Sequence, residues 1–352
     1  MSGGVDSSVS AYLLKEAGYN VTGVFIRVWQ PEDGECTWKD ERRDAMRVAA
    51  HLGIPFITLD LRNEYKQGVV DYMIREYKEG RIPNPDVMCN REVKFGAFYT
   101  WAREQGADYI ATGHYAQTKD GQLYEGRDNN KDQSYFLWTL TQDELKHVLF
   151  PIGHLEKKEV RAIGEKAGVP VFDKKDSQGV CFIGHIDMKE FLKEYISVEE
   201  GKVLDINGHV IGTHQGALLY THGERHAFKL FSQSTDQKRL YVIDKNITNN
   251  TITVGELQDI EKQTHTVNTL RMHNVVLRIT QDKLQKLALD KKLSCRTRYR
   301  QEKIDIETLS LIDNDLTQGL TLSLTKTPVT SAGQSVVFYS GEWCIGGGVL
   351  MD

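Results

Sequence analysis

Apolar positions follow two different spacings along this chain, and the change between them comes near residue 200. In the first part, Val9, Leu13 and Leu14 recur at helical spacing until Gly18 stops them. Val21–Trp29 then predicts a strand, Asp40–Leu52 a helix and Pro55–Leu61 a second strand. Glu64–Lys78 and Glu92–Gln105 predict helices, with Tyr109–Thr112 as a short buried strand after them. Strand and helix in alternation predict an α/β domain with a parallel sheet, whose ligands collect at the carboxyl ends of the strands. Beyond about Glu200 the period becomes two. Lys202–Ile206, Val210–Thr213, Leu240–Ile243, Thr251–Val254, Val275–Ile279, Ser294–Arg300, Leu320–Leu324, Ser335–Tyr339 and Trp343–Leu350 predict short strands, and Gln281–Leu287 a lone helix. Turns such as Asn207-Gly208 and Ser340-Gly341 separate them. The expected organisation is a catalytic α/β domain over 1–197, a β-rich linking domain over 198–262 and a β-barrel over 263–352.

Composition narrows the class without naming the chemistry. The chain has 352 residues, 40% of them hydrophobic and 26% charged, which suits a globular protein of two or three domains. No apolar run reaches membrane-spanning length and no signal or transit pattern opens the chain. Cys36, Cys89, Cys181, Cys295 and Cys344 are scattered and none forms a CxxC pair. This speaks against a disulfide framework or zinc site and for a reducing, cytoplasmic setting. Cys295 and Cys344 read as small core residues and Cys36 as a spectator thiol. With a net charge of -5, a nucleic-acid partner would need a local basic surface.

The chemistry begins at Ser2-Gly3-Gly4-Val5-Asp6-Ser7-Ser8. Two glycines let the backbone bend with its amides inward, the serines add hydroxyls, and a helix follows at once. Such a loop is an anion site suited to phosphate. It lacks the Gly-Lys-Ser/Thr ending of the usual phosphate loop, since no lysine precedes Lys15. It resembles instead the pyrophosphatase loop of enzymes that split ATP into AMP and pyrophosphate.

Two further stretches carry cysteines. In Arg81-Ile82-Pro83-Asn84-Pro85-Asp86-Val87-Met88-Cys89-Asn90-Arg91, prolines stiffen the approach to Asp86. Cys89 there reads as lying just before a helix whose dipole favours thiolate. In Lys174-Lys175-Asp176-Ser177-Gln178-Gly179-Val180-Cys181-Phe182-Ile183-Gly184, the lysines could lower the pKa of Cys181. Either stretch alone also fits a structural loop. An ATP-pyrophosphatase loop with two loop cysteines suggests ATP-dependent sulfur transfer, one cysteine carrying persulfide sulfur and the other resolving it.

SGGVDSS, RIPNPDVMCNREVKFG, DYIATGHY, NKDQSYFL, KKDSQGVCFIG, RTRYRQ and GQSVVFY…GGG occur in the order and spacing of one family. Along nearly its full length the chain resembles the bacterial-type tRNA-specific 2-thiouridylases. The resemblance implies an adenine-nucleotide alpha-hydrolase-like pyrophosphatase-loop fold followed by two small β-rich domains. The implied reaction replaces the C2 oxygen of the anticodon wobble uridine with sulfur, at the expense of ATP with Mg2+. By resemblance Ser2, Gly3, Gly4, Val5, Asp6, Ser7 and Ser8 hold the phosphates, Ile26 lines the adenine pocket and Gly113 contacts the nucleotide. Cys181 carries the persulfide, Cys89 attacks it to leave a Cys89–Cys181 disulfide, and Asp86 is acid/base. Asn84, Pro85 and Asp86 also contact the flipped-out base. His114, Lys131, Asp132, Gln133, Arg298, Tyr299 and Gln334 match tRNA-contacting positions. The alternating Arg296, Arg298 and Arg300 predict a phosphate track on one side of a strand. The expected partners are glutamate, glutamine and lysine tRNAs and a cysteine desulfurase or sulfur-relay protein, with no membrane.

Departures from the family pattern add expectations. Members usually carry a strand ending Gly-Met before Ser-Gly-Gly, and Met1 stands where that methionine would be. A start site placed too late is the expected reason; were the chain truly shorter, the sheet would lose a strand and ATP binding would weaken. The usual Gly-Gln-Arg-Lys/Arg-Gly-Leu stretch appears as Gly223-Glu224-Arg225-His226-Ala227-Phe228, which puts tRNA handling by the linking domain in question. Ala332 replaces a common proline. Three other readings stay open: an adenylating amidotransferase or ligase, a tRNA binder without catalysis, and an iron–sulfur cluster on Asp86, Cys89 and Cys181 in place of a bare persulfide.

Overall fold

The computed structural model describes residues 1–31, 38–175, 188–225, 227–232, 239–256, 258–259, 269–326 and 330–351. Cys36 and Cys181 lie outside these residues. The helix Val5–Glu16 follows the glycine loop directly. Helix Trp38–Leu52 buries Ala45, Val48, Ala49 and Leu52, three and four residues apart along one face. β1 (Gly23–Arg27) and β2 (Phe56–Asp60) pair in parallel, Gly23 opposite Phe56. Next come β3 (Ile110–Ala111), a hairpin of β4 (Ala116–Lys119) and β5 (Gln122–Glu125), and β6 (Val148–Leu149), which runs parallel to β3. The α/β expectation is met in this part.

The second half is built mainly of strands, as its period predicts, with the helix Gln281–Leu289 among them. β7 (Gly201–Leu204), β8 (Val210–His214), β9 (Phe228–Leu230), β10 (Tyr241–Asn246) and β11 (Thr251–Gly255) form a sheet in the order β10-β11-β7-β8-β9. β12 (Thr269–Leu277), β13 (Ser294–Arg296), β14 (Ile304–Leu311), β15 (Leu320–Leu324), β16 (Ser335–Ser340) and β17 (Trp343–Leu350) follow in the order β12-β15-β14-β13-β16-β17. β12 pairs with β17 as well as with β15, so these strands close into a barrel. Closure removes exposed edges.

The barrel is tied to the first part of the chain by four devices that a strand-by-strand reading misses. The β4–β5 hairpin, turned at Asp120-Gly121 with φ of 52° and 70°, pairs with β17 and extends the barrel sheet. An Asp-Gly pair between alternating residues is a hairpin signal. β16 buries both faces: Val336 and Phe338 fill the barrel, while Val337 and Tyr339 pack with Tyr135 and Trp138. That is why its sequence does not alternate. A Cβ on Gly347 would sit 3.0 Å from the Trp138 ring, so the glycine is what lets the two parts close. The buried Arg278 guanidinium donates to the carbonyls of Trp138, Leu140 and Cys344 across the same seam.

Candidate active site

Gly3 has φ of +75°, and a Cβ there would lie 2.4 Å from the Glu41 carbonyl oxygen, so the loop needs glycine on both counts. Its serines fold the turn on itself. The Ser7 and Ser8 hydroxyls donate to Gly4 O at 3.2 and 2.7 Å, and the Ser2 amide donates to Ser7 Oγ at 3.2 Å. Asp6 opens the helix, and both its oxygens accept from Lys157 Nζ at 2.7 and 2.9 Å. The Tyr115 hydroxyl donates to Asp6 Oδ1 at 2.9 Å. From another side, Lys174 Nζ donates to Gly3 O at 3.2 Å and to Asp44 at 2.8 Å. Gly113 seals the floor: a Cβ there would come within 2.7 Å of Ser7 N and 2.8 Å of Asp6 C. Ile26, half-buried on β1, packs on the neighbouring core. Ser2–Ser8 and Gly113 are thus brought together around one helix N-terminus carrying two lysines.

Lys157 and Tyr115 were not legible as site residues. They lie 151 and 109 positions from Asp6 in the chain, and no local pattern marks them. Lys157 reaches the loop because Glu156 and Glu159 form a capping box that starts a helix at Lys157 itself.

The second centre is a helix start. Asn84 caps it by accepting from Val87 N at 3.3 Å, with Pro85 in the first turn. The helix therefore begins several residues earlier than the apolar pattern suggested, and Cys89 sits inside it at the start of a π-helical stretch, Cys89–Ala97. Cys89 is fully buried. Burial pushes its thiol up to about 11, with Lys94 opposing and the Asp86 carboxylate adding to the rise. The expected dipole-stabilised thiolate is absent from this state, because desolvation outweighs the helix terminus. Alkylation by iodoacetamide should accordingly be slow at pH 7.5 and climb about tenfold per pH unit toward 11. A rate that levels near pH 8.5, read by peptide mass spectrometry, would contradict this environment.

His114 is buried between Phe95 and Phe150, with Nδ1 2.8 Å from Thr112 Oγ1. Burial, with Lys94 nearby, holds its pKa well below the usual value. The unfolded chain then binds a proton that the folded one refuses. Stability is full above the unfolded pKa of about 6.5 and falls below it by up to about 1.4 kcal/mol per pH unit for this group. Urea midpoints at pH 7 and 5.5 should show the loss, and His114→Gln should lessen it. An equal loss in that variant would remove His114 as the cause.

A third cluster lies beside the second. Gln334 Nε2 donates to Ile82 O at 2.8 Å and Ile82 N to Ala332 O at 2.7 Å, which docks the barrel loop against the approach to Asn84. Thr221, His222, Glu224, Arg298, Ser331 and Gln334 line a cavity of about 330 Å³ there. Tyr299 packs against Phe136 with ring centroids 4.6 Å apart. The phosphate track does not form. β13 ends at Arg296, because Gln301 Oε1 accepts from the amides of Thr297 and Arg298 and curls the chain. Arg296 turns inward to Glu125 and Asp132 at 2.8 and 2.9 Å. Arg298 reaches the cavity, and Arg300 sits at φ +62° with its guanidinium over Tyr299.

In the altered stretch, Glu224 Oε2 accepts from Thr221 N at 3.0 Å and its other oxygen pairs with Lys189. Ala227 takes φ +71°, a left-handed conformation that glycine adopts more cheaply. The substitution therefore strains the loop while the glutamate holds it.

Three family models cover the chain end to end: a tRNA methyl transferase HUP domain over 1–185, a tRNA methyl transferase PRC-barrel domain over 189–256 and an aminomethyltransferase beta-barrel domain over 267–350. A relative in Enterococcus faecalis, tRNA-specific 2-thiouridylase MnmA, is 41% identical across 99% of this chain and 93% of its own. One of the same description in Lactococcus lactis subsp. cremoris is 43% identical over the same shares. The chain belongs to the tRNA-specific 2-thiouridylase family. Its glycine–serine loop, its Asn84–Cys89 helix start and its barrel loops each carry one of the motifs that mark this family. A solved NMN synthetase from Francisella tularensis gives a TM-score of 0.32 at 17% identity over 54% of this chain and 68% of that one, too little to argue from.

Among the described residues, no group of three His, Cys, Asp or Glu side chains is placed to hold a metal ion. Asp6, the carboxylate at the loop, has both its oxygens on Lys157. No described helix is long and apolar enough to cross a membrane.

Proposed function

We propose that this chain catalyses ATP-dependent 2-thiolation of the wobble uridine in tRNA, with glutamate, glutamine and lysine tRNAs as substrates. The observation that carries the reading is full-length similarity to tRNA-specific 2-thiouridylases together with a braced glycine–serine loop and a buried cysteine one helical turn from Asp86. A methyl transfer, which the family-model descriptions mention, would use neither feature.

The urea-like C2 carbonyl of uracil has a poor leaving group. Its oxygen attacks the α-phosphorus of ATP, pyrophosphate departs, and the oxygen becomes part of an AMP leaving group. The terminal sulfur of a Cys181 persulfide then adds at C2 and AMP leaves. The Cys89 thiolate attacks Cys181 Sγ, the S–S bond of the persulfide breaks with its electron pair going to the sulfur on C2, and a Cys89–Cys181 disulfide remains. Asp86 is assigned to take the Cys89 proton, which suits a thiol that burial keeps protonated. Ser2–Ser8, Ile26 and Gly113 hold the nucleotide, Asn84–Asp86 receive the extruded base, and Arg298, Tyr299 and Gln334 contact the RNA. The persulfide comes from a cysteine desulfurase or a relay protein. The division into 1–197, 198–262 and 263–352 belongs to the same reading. An iron–sulfur alternative would need Cys181, outside the described residues, and nothing in the described part favours it.

The test is nucleoside mass spectrometry of unmodified glutamate tRNA after incubation with the protein, ATP, magnesium and a cysteine desulfurase supplied with cysteine, which delivers persulfide sulfur. Formation of 2-thiouridine is expected. No thiolated nucleoside, with tRNA bound and ATP uncleaved, would point instead to a binder without catalysis.

A further inference from the structure

Asp132 faces into the protein, and Gln133 beside it is half-buried. Asp132 is 5% exposed; its Oδ1 accepts from Gly126 N at 2.9 Å and Ser134 N at 3.1 Å, and its Oδ2 from Ser134 Oγ at 3.1 Å and Arg296 at 2.9 Å. Four donors occupy the four acceptor positions of a carboxylate. Gln133 holds both backbone groups of Tyr115: its side-chain Oε1 accepts from Tyr115 N at 3.0 Å, and its backbone N–H donates to Tyr115 O at 2.8 Å. The Tyr115 hydroxyl, at the far end of that buried side chain, donates to Asp6 in the glycine–serine loop.

We propose that Asp132 and Gln133 are positioning residues for the ATP loop. Asp132 sets the turn, Gln133 pins Tyr115, and Tyr115 orients the Asp6 carboxylate opposite Lys157. Arg296 braces Asp132 from the barrel and bonds Glu125 at 2.8 Å on the same side, so the loop is steadied from a strand far away in sequence. The inference rests on the assignment of Ser2–Ser8 to ATP.

The experiment measures dissociation constants of the full chain for a non-hydrolysable ATP analogue and, separately, for unmodified glutamate tRNA. Tyr115→Phe removes one hydrogen bond to a charged group and should weaken the analogue about tenfold. Gln133→Leu should do the same, and the double variant should lose less than the product of the two. Gln133→Glu, which keeps an acceptor for Tyr115 N, should restore analogue binding. Affinity for tRNA should stay within about twofold throughout. Weaker tRNA binding with unchanged analogue binding would make these residues RNA contacts and overturn the proposal. Unchanged values for both ligands, or equal losses for both, would overturn it too. A wild-type chain that binds no analogue would condemn the loop assignment and this inference with it, an outcome distinct from any pattern among the variants. Tyr115→Phe keeps the test alive should Gln133→Leu fail to fold.

Discussion

Cys89→Ser should leave tRNA-dependent release of pyrophosphate in place while 2-thiouridine formation falls at least about a thousandfold. The hydroxyl that replaces the thiol cannot resolve a persulfide, and a serine deprotonates far less readily even with Asp86 one turn away. The site is fully buried, so an added hydroxyl without a partner costs about 1–3 kcal/mol of stability. Cys89→Ala therefore belongs beside it, to separate lost chemistry from lost folding. Both products are read in one assay, pyrophosphate by coupled enzymes and the nucleoside by mass spectrometry. Thiolation within tenfold of the parent in either variant would remove Cys89 from the mechanism.

Gly113→Ala carries the second large effect. The added methyl would stand 2.7 Å from Ser7 N and 2.8 Å from Asp6 C, both backbone atoms at the start of a helix. Neither can rotate away, so the loop or strand β3 has to shift. A displacement of about 1 Å at a positioning element costs on the order of a hundredfold. ATP affinity should drop by that much, with tRNA affinity unchanged because the barrel loops lie elsewhere. An ATP dissociation constant within threefold of the parent, measured by calorimetry, would mean that Gly113 does not support the phosphate site.

The fold was largely legible because it rests on periodicity. The strand Leu320–Leu324 and the strand Trp343–Leu350 have the bounds their alternation predicts, and Gln281–Leu289 is the helix expected there. The errors have local physical causes. Alternation predicts one strand over Ser294–Arg300, but Gln301 captures two amides and ends it at Arg296. The strand Ile304–Leu311 gives a weak apolar signal, its polar outward positions masking Ile304 and Ile306 in the core. The helix carrying Cys89 was started late, because Asn84 and Pro85 signal a cap while the apolar pattern begins only after them.

What short-range sequence decided is the chemistry on offer. A glycine–serine loop before a helix and a proline-stiffened Asp-x-x-Cys are local patterns, and each is set by backbone geometry within a few residues. The tertiary structure decided what those groups are like. It buried Cys89 and so raised its pKa, and it brought Lys157 and Tyr115 to Asp6 from more than a hundred positions away. It also turned Arg296 from a candidate RNA contact into the partner of Asp132. Desolvation and long-range pairing depend on which surfaces meet in the packed chain, and no window of neighbouring residues contains that information.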